Sequence, residues 1–361
     1  MSVDIVQGTP NLYLHQPGLL NKAGEHIGRF GKDVLIVTGE ESWNAVEPQF
    51  TNSLTDNGIA FCIERYRGQC SYEEVGRLCA TVKTPTELVI GVGGGKVLDT
   101  AKAVAAKVDL PFIAVPTLAS TCSPVTPVSV IYTTDGVFLE SQVWPKNSLV
   151  TLVDTQVVAK SPLNYFLSGV GDTLAKWYES SASSTRNNYH NVPTIAALQM
   201  ARLCKTTLFQ NTEQAIMDLG EWRPSPALQE VVDTIFLVAG MVGGLGGEAC
   251  RAAAGHAIHN GLTILPQTKG ILHGEKVAYG VAVQLVLERK DDELAELLSF
   301  YKKCHLPGKL SDMGIDLSQI QETLFTQAIA NSLSDASMNF MPMSITESML
   351  RNAIIELELR G

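Results

Sequence analysis

Over roughly the first 160 residues, short β-branched runs alternate with stretches of helical spacing, and this alternation limits the possible folds more than any other feature of the chain. Val34 to Gly39 is rich in β-branched residues and ends on a glycine, which reads as a buried strand. Ile59 to Tyr66, Leu88 to Val92 and Phe112 to Val115 read the same way, the last closed by Pro116, and Val128 to Thr133 and Leu149 to Val153 complete the set. Between them, Ser71 to Thr81 and Val97 to Val108 carry apolar residues at helical intervals. Strands alternating with helices predict a parallel sheet covered on both faces, a Rossmann-like α/β domain.

After about residue 160 the β-branched runs give way to Ala, Leu, Glu and Gln at helical spacing, over 193–217, 226–241, 248–261, 274–299 and 346–358. An all-helical second domain is expected, with the boundary near Ser161-Pro162, because proline disfavours helix in the residue before it and often opens one. The expected division is therefore 1–160 and 161–361.

The chain's 361 residues suffice for two such domains, and 45% hydrophobic against 18% charged residues is a globular balance. A formal net charge of -10 argues against nucleic acid or an anionic membrane as partner, since phosphates would be repelled. No uninterrupted apolar run approaches the roughly 18 residues of a membrane span. Met1 to Asn11 lacks a basic stretch followed by an apolar run, so no signal peptide is expected. Cys62, Cys70, Cys79, Cys122, Cys204, Cys250 and Cys304 are scattered without a CxxC, which fits reduced thiols in a cytoplasmic protein.

Two loops carry a ligand-binding signal. Gly91 to Asp99 (GVGGGKVLD) lies between a strand and a helix, where glycines let the backbone approach a pyrophosphate and the helix N-terminus offers free N–H groups. Lys96 adds charge there. The spacing matches neither GxGxxG nor GxxxxGK[ST], and a plain glycine turn is the competing reading. Pro116 to Thr121 (PTLAST) puts small hydroxyl residues after the next strand, at the sheet edge where ligands bind in such folds.

His256 and His259 share one helix face, and His273 follows just before Gly274. Asp172 stands in Gly169-Val170-Gly171-Asp172, ahead of an apparent helix. The HExxH of zinc proteases is absent. Spacing by itself leaves a metal site and ordinary core histidines equally open, and does not connect Asp172 to the histidines.

Five ordered segments together resemble the iron-containing alcohol dehydrogenase superfamily, within its glycerol dehydrogenase branch. They are Gly91 to Lys102 (GVGGGKVLDTAK), Pro116 to Tyr132 (PTLASTCSPVTPVSVIY), Gly169 to Glu179 (GVGDTLAKWYE), Gly255 to Thr263 (GHAIHNGLT) and His273 to Gly280 (HGEKVAYG). The resemblance implies a dehydroquinate synthase-like arrangement, with a dinucleotide-binding α/β domain followed by a helical metal-binding and catalytic domain. It implies one divalent metal, zinc or iron, held by Asp172, His256 and His273, and three protein ligands leave a coordination position open for catalysis. The cofactor positions it implies are Gly94, Gly95, Lys96, Asp99, Thr117, Ser120, Thr126, Val128 and Tyr132. Glu40 matches the position where NAD-using relatives carry an aspartate; a carboxylate there binds ribose hydroxyls and repels a 2′-phosphate, which implies NAD, with NADP as the alternative.

One departure bears on the substrate. Glycerol dehydrogenases carry an aspartate after the Ser-Thr of the second loop, and here that residue is Cys122. A thiol there, together with Gly240 to Gly246 (GMVGGLG), resembles the hydroxycarboxylate dehydrogenase branch, which reduces 2-oxo acids. The expected function is a metal-dependent NAD(P)-linked dehydrogenase interconverting a small 2-hydroxy acid and its 2-oxo acid. The alternatives are a glycerol or polyol dehydrogenase and a family member without catalysis. His259 is either a proton relay at the substrate or a hydrogen-bonding and packing residue, the latter favoured. Lys176 and Arg251 are possible partners for a substrate carboxylate but fit surface or helix-end charges better. A small-molecule substrate and a homo-oligomer are expected, with neither nucleic acid nor membrane as partner.

Overall fold

A computed structural model of the chain describes residues 6–187, 191–250 and 252–360. It divides into two compact units, one built from Gln7–Leu163 with Met217–Gly240, the other from Asn164–Ile216 with the chain from Met241 on.

The first unit is built on six parallel strands in the order β1-β8-β5-β4-β2-β3. They are β1 (Leu12–Gln16), β2 (Asp33–Thr38), β3 (Ala60–Arg65), β4 (Leu88–Gly93), β5 (Phe112–Pro116) and β8 (Val150–Asp154). Side chains alternate across a strand, so each strand feeds two cores. Val34, Ile36, Ile90, Val92, Ile113 and Val115 pack with Trp43, Phe50 and Leu54 on one face. Leu35, Val37, Val89 and Ala114 pack with Val75, Leu78, Leu98 and Val104 on the other. Burial on both faces is why β4 and β5 read as unbroken apolar runs, and why β8 carries only Thr151 and its terminal Asp154 among apolar residues.

Three strands depart from the expected set. β1 is an edge strand with no fully buried residue, and its Leu-Tyr-Leu-His-Gln offers little apolar contrast. The run at 128–133 forms β6 (Val128–Tyr132), which joins no main sheet; it pairs antiparallel with β7 (Phe138–Val143). β6 alternates half-buried and buried residues, the pattern of a ribbon with one covered face.

The second unit is helical. Asp172 falls inside a long helix, Leu163–Asn187, rather than ahead of one. The stretch of helical spacing over 274–299 forms two helices, His273–Leu287 and Asp291–Cys304, parted where Arg289 takes a left-handed φ of 59°. The stretch at 248–261 begins as a short 3₁₀ turn, Gly247–Cys250, and resumes as the helix Ala254–Leu262. Val277, Tyr279, Val281, Val283 and Leu285 of His273–Leu287 are all buried, so apolar residues surround this helix and it forms the unit's centre.

The helical run Pro226–Gly246 is long and apolar enough to cross a membrane by length and composition. Its apolar character comes from the protein core, where Leu228, Val231, Val232, Ile235 and Phe236 are buried.

Candidate metal centre

Three helices of the second unit bring Asp172, His256 and His273 together, with one ligand atom of each within 4.8 Å of the others. Nε2 of His256 lies 3.4 Å and Nε2 of His273 3.3 Å from Oδ1 of Asp172. That oxygen is buried and meets no hydrogen-bond donor among the described residues.

Each ligand adjoins a glycine in the sequence, and the glycines are where the helices touch. A Cβ on Gly171 would strike the backbone of Gly274, and one on Gly274 would strike the backbone of Ser168. A Cβ on Gly280 would strike the backbone of Gly255, and one on Gly255 would sit 3.0 Å from Glu179 Oε1. Backbone-to-backbone packing at these pairs carries Asp172, His256 and His273 to one point.

The far nitrogens of both imidazoles are engaged. Nδ1 of His256 donates to Oε2 of Glu179 at 2.6 Å, and Oε1 of the same carboxylate accepts from the backbone N–H of Ala253 at 2.7 Å and of His256 at 2.8 Å. Nδ1 of His273 lies 3.1 Å from Nε2 of His259, whose own Nδ1 meets Oδ1 of Asn260 at 2.8 Å. Both ring nitrogens of His259, itself buried, therefore have partners.

Electrostatics hold the carboxylates ionised. Burial works to raise the Asp172 pKa, but the Lys176 charge one turn along the helix and the two imidazoles keep it well below the usual range. Burial opposes ionisation of Glu179 too, and the charge and hydrogen bonds of His256 lower its pKa. Burial, aided by the charges of His273 and Lys276, pushes the His259 pKa well down and leaves that imidazole neutral. A buried carboxylate oxygen without a donor, faced by two imidazole nitrogens, is a donor set that suits a divalent cation.

In the first unit the two loops follow adjacent strands. Gly94 caps the helix Gly95–Lys107 in extended conformation, directly after β4. A Cβ on Gly91 would come within 2.9 Å of Ala101 Cβ, so glycine allows this helix to lie against its own strand. The N–H of Thr117, after β5, donates to Gly93 O at 3.2 Å and ties the second loop to the first. Thr117, Ser120 and Cys122 follow along that loop, Thr117 buried, Ser120 and Cys122 half-buried. Glu40 is exposed at the first position of the helix Glu40–Val46, directly after β2. Because β2, β4 and β5 are neighbours, Glu40, Gly94, Gly95, Lys96, Thr117 and Ser120 all lie at one sheet edge. Lys96 Nζ donates to Gln69 Oε1 at 2.6 Å and stands 5.5 Å over the ring of Tyr132. Thr126 lies just before β6, and Val128 and Tyr132 occupy its half-buried positions.

Asp99 turns inward. Its Oδ1 accepts from Ser123 Oγ at 2.6 Å and Lys102 Nζ at 3.2 Å, and its Oδ2 accepts from Val130 N–H at 3.0 Å. Lys102, 2% exposed, also donates to the carbonyls of Ser123 and Val128. The pair fastens β6 to the helix behind the glycine loop.

A model of the iron-containing alcohol dehydrogenase family matches residues 10–154. Hydroxycarboxylate dehydrogenase A of Escherichia coli K12 is 36% identical over 362 residues, spanning 99% of this chain and 98% of that protein. The chain belongs to the iron-containing alcohol dehydrogenase family. Glycerol dehydrogenase of Thermotoga maritima is 39% identical over 85% of the chain and 84% of its own length. The crystal structure of glycerol dehydrogenase from Schizosaccharomyces pombe superposes with a TM-score of 0.90 at 32% identity, covering 99% of this chain and 91% of that one. The protein is accordingly an oxidoreductase.

The sequence pattern did not single out Glu179, Lys102, Asn260 or Asp335. Glu179 left a trace, since it lies about two helical turns from Asp172 and so on the same face. The others gave none: Lys102 reads as a solvated helix charge, and Asn260 and Asp335 are far apart in the chain. Arg251 lies outside the described residues.

Proposed function

We propose that the protein is a metal-dependent, nicotinamide-linked dehydrogenase that interconverts a small 2-hydroxy acid and its 2-oxo acid. The convergence of Asp172 Oδ1 with Nε2 of His256 and of His273 carries the catalytic part of this reading. When bound, a zinc or iron ion supplies Lewis acidity toward the substrate oxygen, and the nicotinamide supplies or accepts hydride. Asp172 contributes the one negative charge among the three ligands, and the two imidazoles bind through Nε2. A non-catalytic member of the family would have no need to keep this set converged.

The N–H groups at Gly94 and Gly95 and the charge of Lys96 receive the pyrophosphate. Thr117, Ser120, Thr126, Val128 and Tyr132 line the remainder of the cofactor's path, and Asp99 holds that wall in place. Glu40 accepts from the adenosine ribose hydroxyls and disfavours a 2′-phosphate, so NAD is preferred over NADP. Cys122 faces the substrate, with a neutral thiol where a polyol would need a carboxylate and a carboxylate substrate would be repelled by one. His259 supports the ligand His273 instead of relaying protons. The Cys122 position and the full-length relationship to a hydroxycarboxylate dehydrogenase favour the hydroxy-acid substrate.

Glycerol dehydrogenases are also among its relatives, at 39% and 34% identity, which supports a polyol substrate as the second reading. Purified protein supplied with NADH or NADPH and 2-oxobutyrate, 2-oxoglutarate or dihydroxyacetone separates the two. Turnover of dihydroxyacetone alone would sink the hydroxy-acid assignment. We further propose a cofactor domain over 1–160 and a metal domain over 161–361, apart from the segment Met217–Gly240, which returns to the first unit, and a cytoplasmic homo-oligomer. None of the seven cysteines forms a disulfide among the described residues, which supports a reducing compartment.

A further inference from the structure

Behind His273 the hydrogen bonds run on to a carboxylate. Asn260 Nδ2 donates to Oδ2 of Asp335 at 2.7 Å. Oδ1 of the same carboxylate accepts from the N–H of Ser337 at 2.8 Å, capping the 3₁₀ turn Ala336–Phe340. An ionised carboxylate only accepts, so Asp335 settles the direction of everything before it. It requires the NH₂ of Asn260 on its own side, which puts the amide oxygen opposite Nδ1 of His259, 2.8 Å away. Nδ1 of His259 therefore carries the proton and its Nε2 is bare. That bare nitrogen, 3.1 Å from Nδ1 of His273, accepts the proton His273 has to donate. Nε2 of His273, facing Asp172 Oδ1 at 3.3 Å, is left with a free lone pair.

We propose that Asp335, Asn260 and His259 are positioning residues that together set the tautomer of His273, so that its Nε2 lone pair faces the metal. This inference rests on the metal centre proposed above. It assigns the same task to three side chains at His273 that the single carboxylate of Glu179 performs at His256. Outer partners of metal-binding histidines raise ligand basicity and fix ring orientation, and their loss typically costs about 10–100-fold in metal affinity.

Asp335→Asn tests the direction of the chain without removing the cap. The amide oxygen it introduces stays on the Ser337 N–H, and the NH₂ it introduces confronts the NH₂ of Asn260. Asn260 must then turn over, His259 must carry its proton on Nε2, and His273 is driven to protonate the nitrogen meant for the metal. The double variant Asp335→Asn with Asn260→Asp restores the order, because the amide at position 335 then donates to a carboxylate that in turn accepts from His259. Protein stripped by chelation is titrated with Zn²⁺ against a chromogenic chelator, with circular dichroism confirming the fold. Asp335→Asn is expected to bind Zn²⁺ about 10-fold more weakly than wild type, and the double variant to return to within about twofold. Wild-type affinity in Asp335→Asn, or a double variant as weak as the single one, overturns the proposal. If Asp335→Asn does not fold, His259→Gln and His259→Leu replace it. Gln keeps an acceptor for His273 and should bind about 10-fold more tightly than Leu, and equal affinities overturn the proposal. Failure of the wild-type protein itself to bind Zn²⁺ overturns the metal centre, a result distinct from all of these.

Discussion

Oε2 of Glu179 accepts a 2.6 Å hydrogen bond from Nδ1 of His256, the ring whose Nε2 faces Asp172. Glu179→Gln keeps the shape and reverses this bond. The amide oxygen is held by the N–H groups of Ala253 and His256, so the NH₂ must face Nδ1, and His256 is left protonated on Nε2. Zn²⁺ affinity measured by chelator competition should fall about 10–100-fold while the metal-free fold persists. Unchanged affinity would show that Glu179 serves only the backbone.

Gly274→Ala should separate the helices that hold Asp172 and His273, since its Cβ has no room against the backbone of Ser168. Overpacking of this kind costs about 1–3 kcal/mol or more, and the melting temperature should drop by several degrees, with loss of metal retention. Gly76→Ala is the control. It lies in the helix Tyr72–Cys79 with nothing within 4 Å of where its Cβ would stand, and should gain up to about 1 kcal/mol from helix propensity. Equal behaviour of the two variants would remove the packing argument.

Burial alone would lower the His256 pKa, but the Glu179 carboxylate and the contact with Asp172 outweigh it and raise it to about 9 in metal-free protein. The folded value exceeds the unfolded one near 6.5, so the charged ring stabilises the fold fully below about pH 6.5. That contribution is lost as pH rises through about 9. Chelator-stripped protein should therefore melt at progressively lower temperature across this window. Zinc-loaded protein, which requires the neutral ring, should not show the same decline. A flat profile in the stripped protein would contradict the raised pKa.

Lys102→Met would leave Asp99 buried without its cation and free the carbonyls of Ser123 and Val128. Breaking a buried pair on one side costs about 3–5 kcal/mol. Chemical denaturation should reveal a loss of that order, and NADH affinity should weaken because β6 is no longer fastened to the loop helix. A loss below about 1 kcal/mol would show the clamp to be dispensable.

The parallel sheet was legible because β4, β5 and β8 are buried on both faces and leave apolar runs in the sequence, continuous in β4 and β5 and broken in β8 by Thr151. β1 and β7 were not, because exposed edge strands carry little apolar contrast. In the helical unit, periodicity located several helices but not their breaks, and it did not find the helix Glu322–Ser334. Nothing in Arg289 or Ala253 announces the backbone turns they make, since tertiary packing imposes them.

The sequence by itself determined the alternation that builds the sheet, the glycine loops at its edge and the identity of Asp172, His256 and His273 as chemically capable groups. Only the tertiary structure decided that these three meet, through glycine contacts between helices distant in the chain. It also decided that Asp99 faces inward, that Met217–Gly240 returns to the first unit, and that Glu179 and Asp335 stand behind the histidines. The reason is physical: composition and period report burial along one element, whereas a hydrogen bond between two elements depends on an approach that neither element encodes alone.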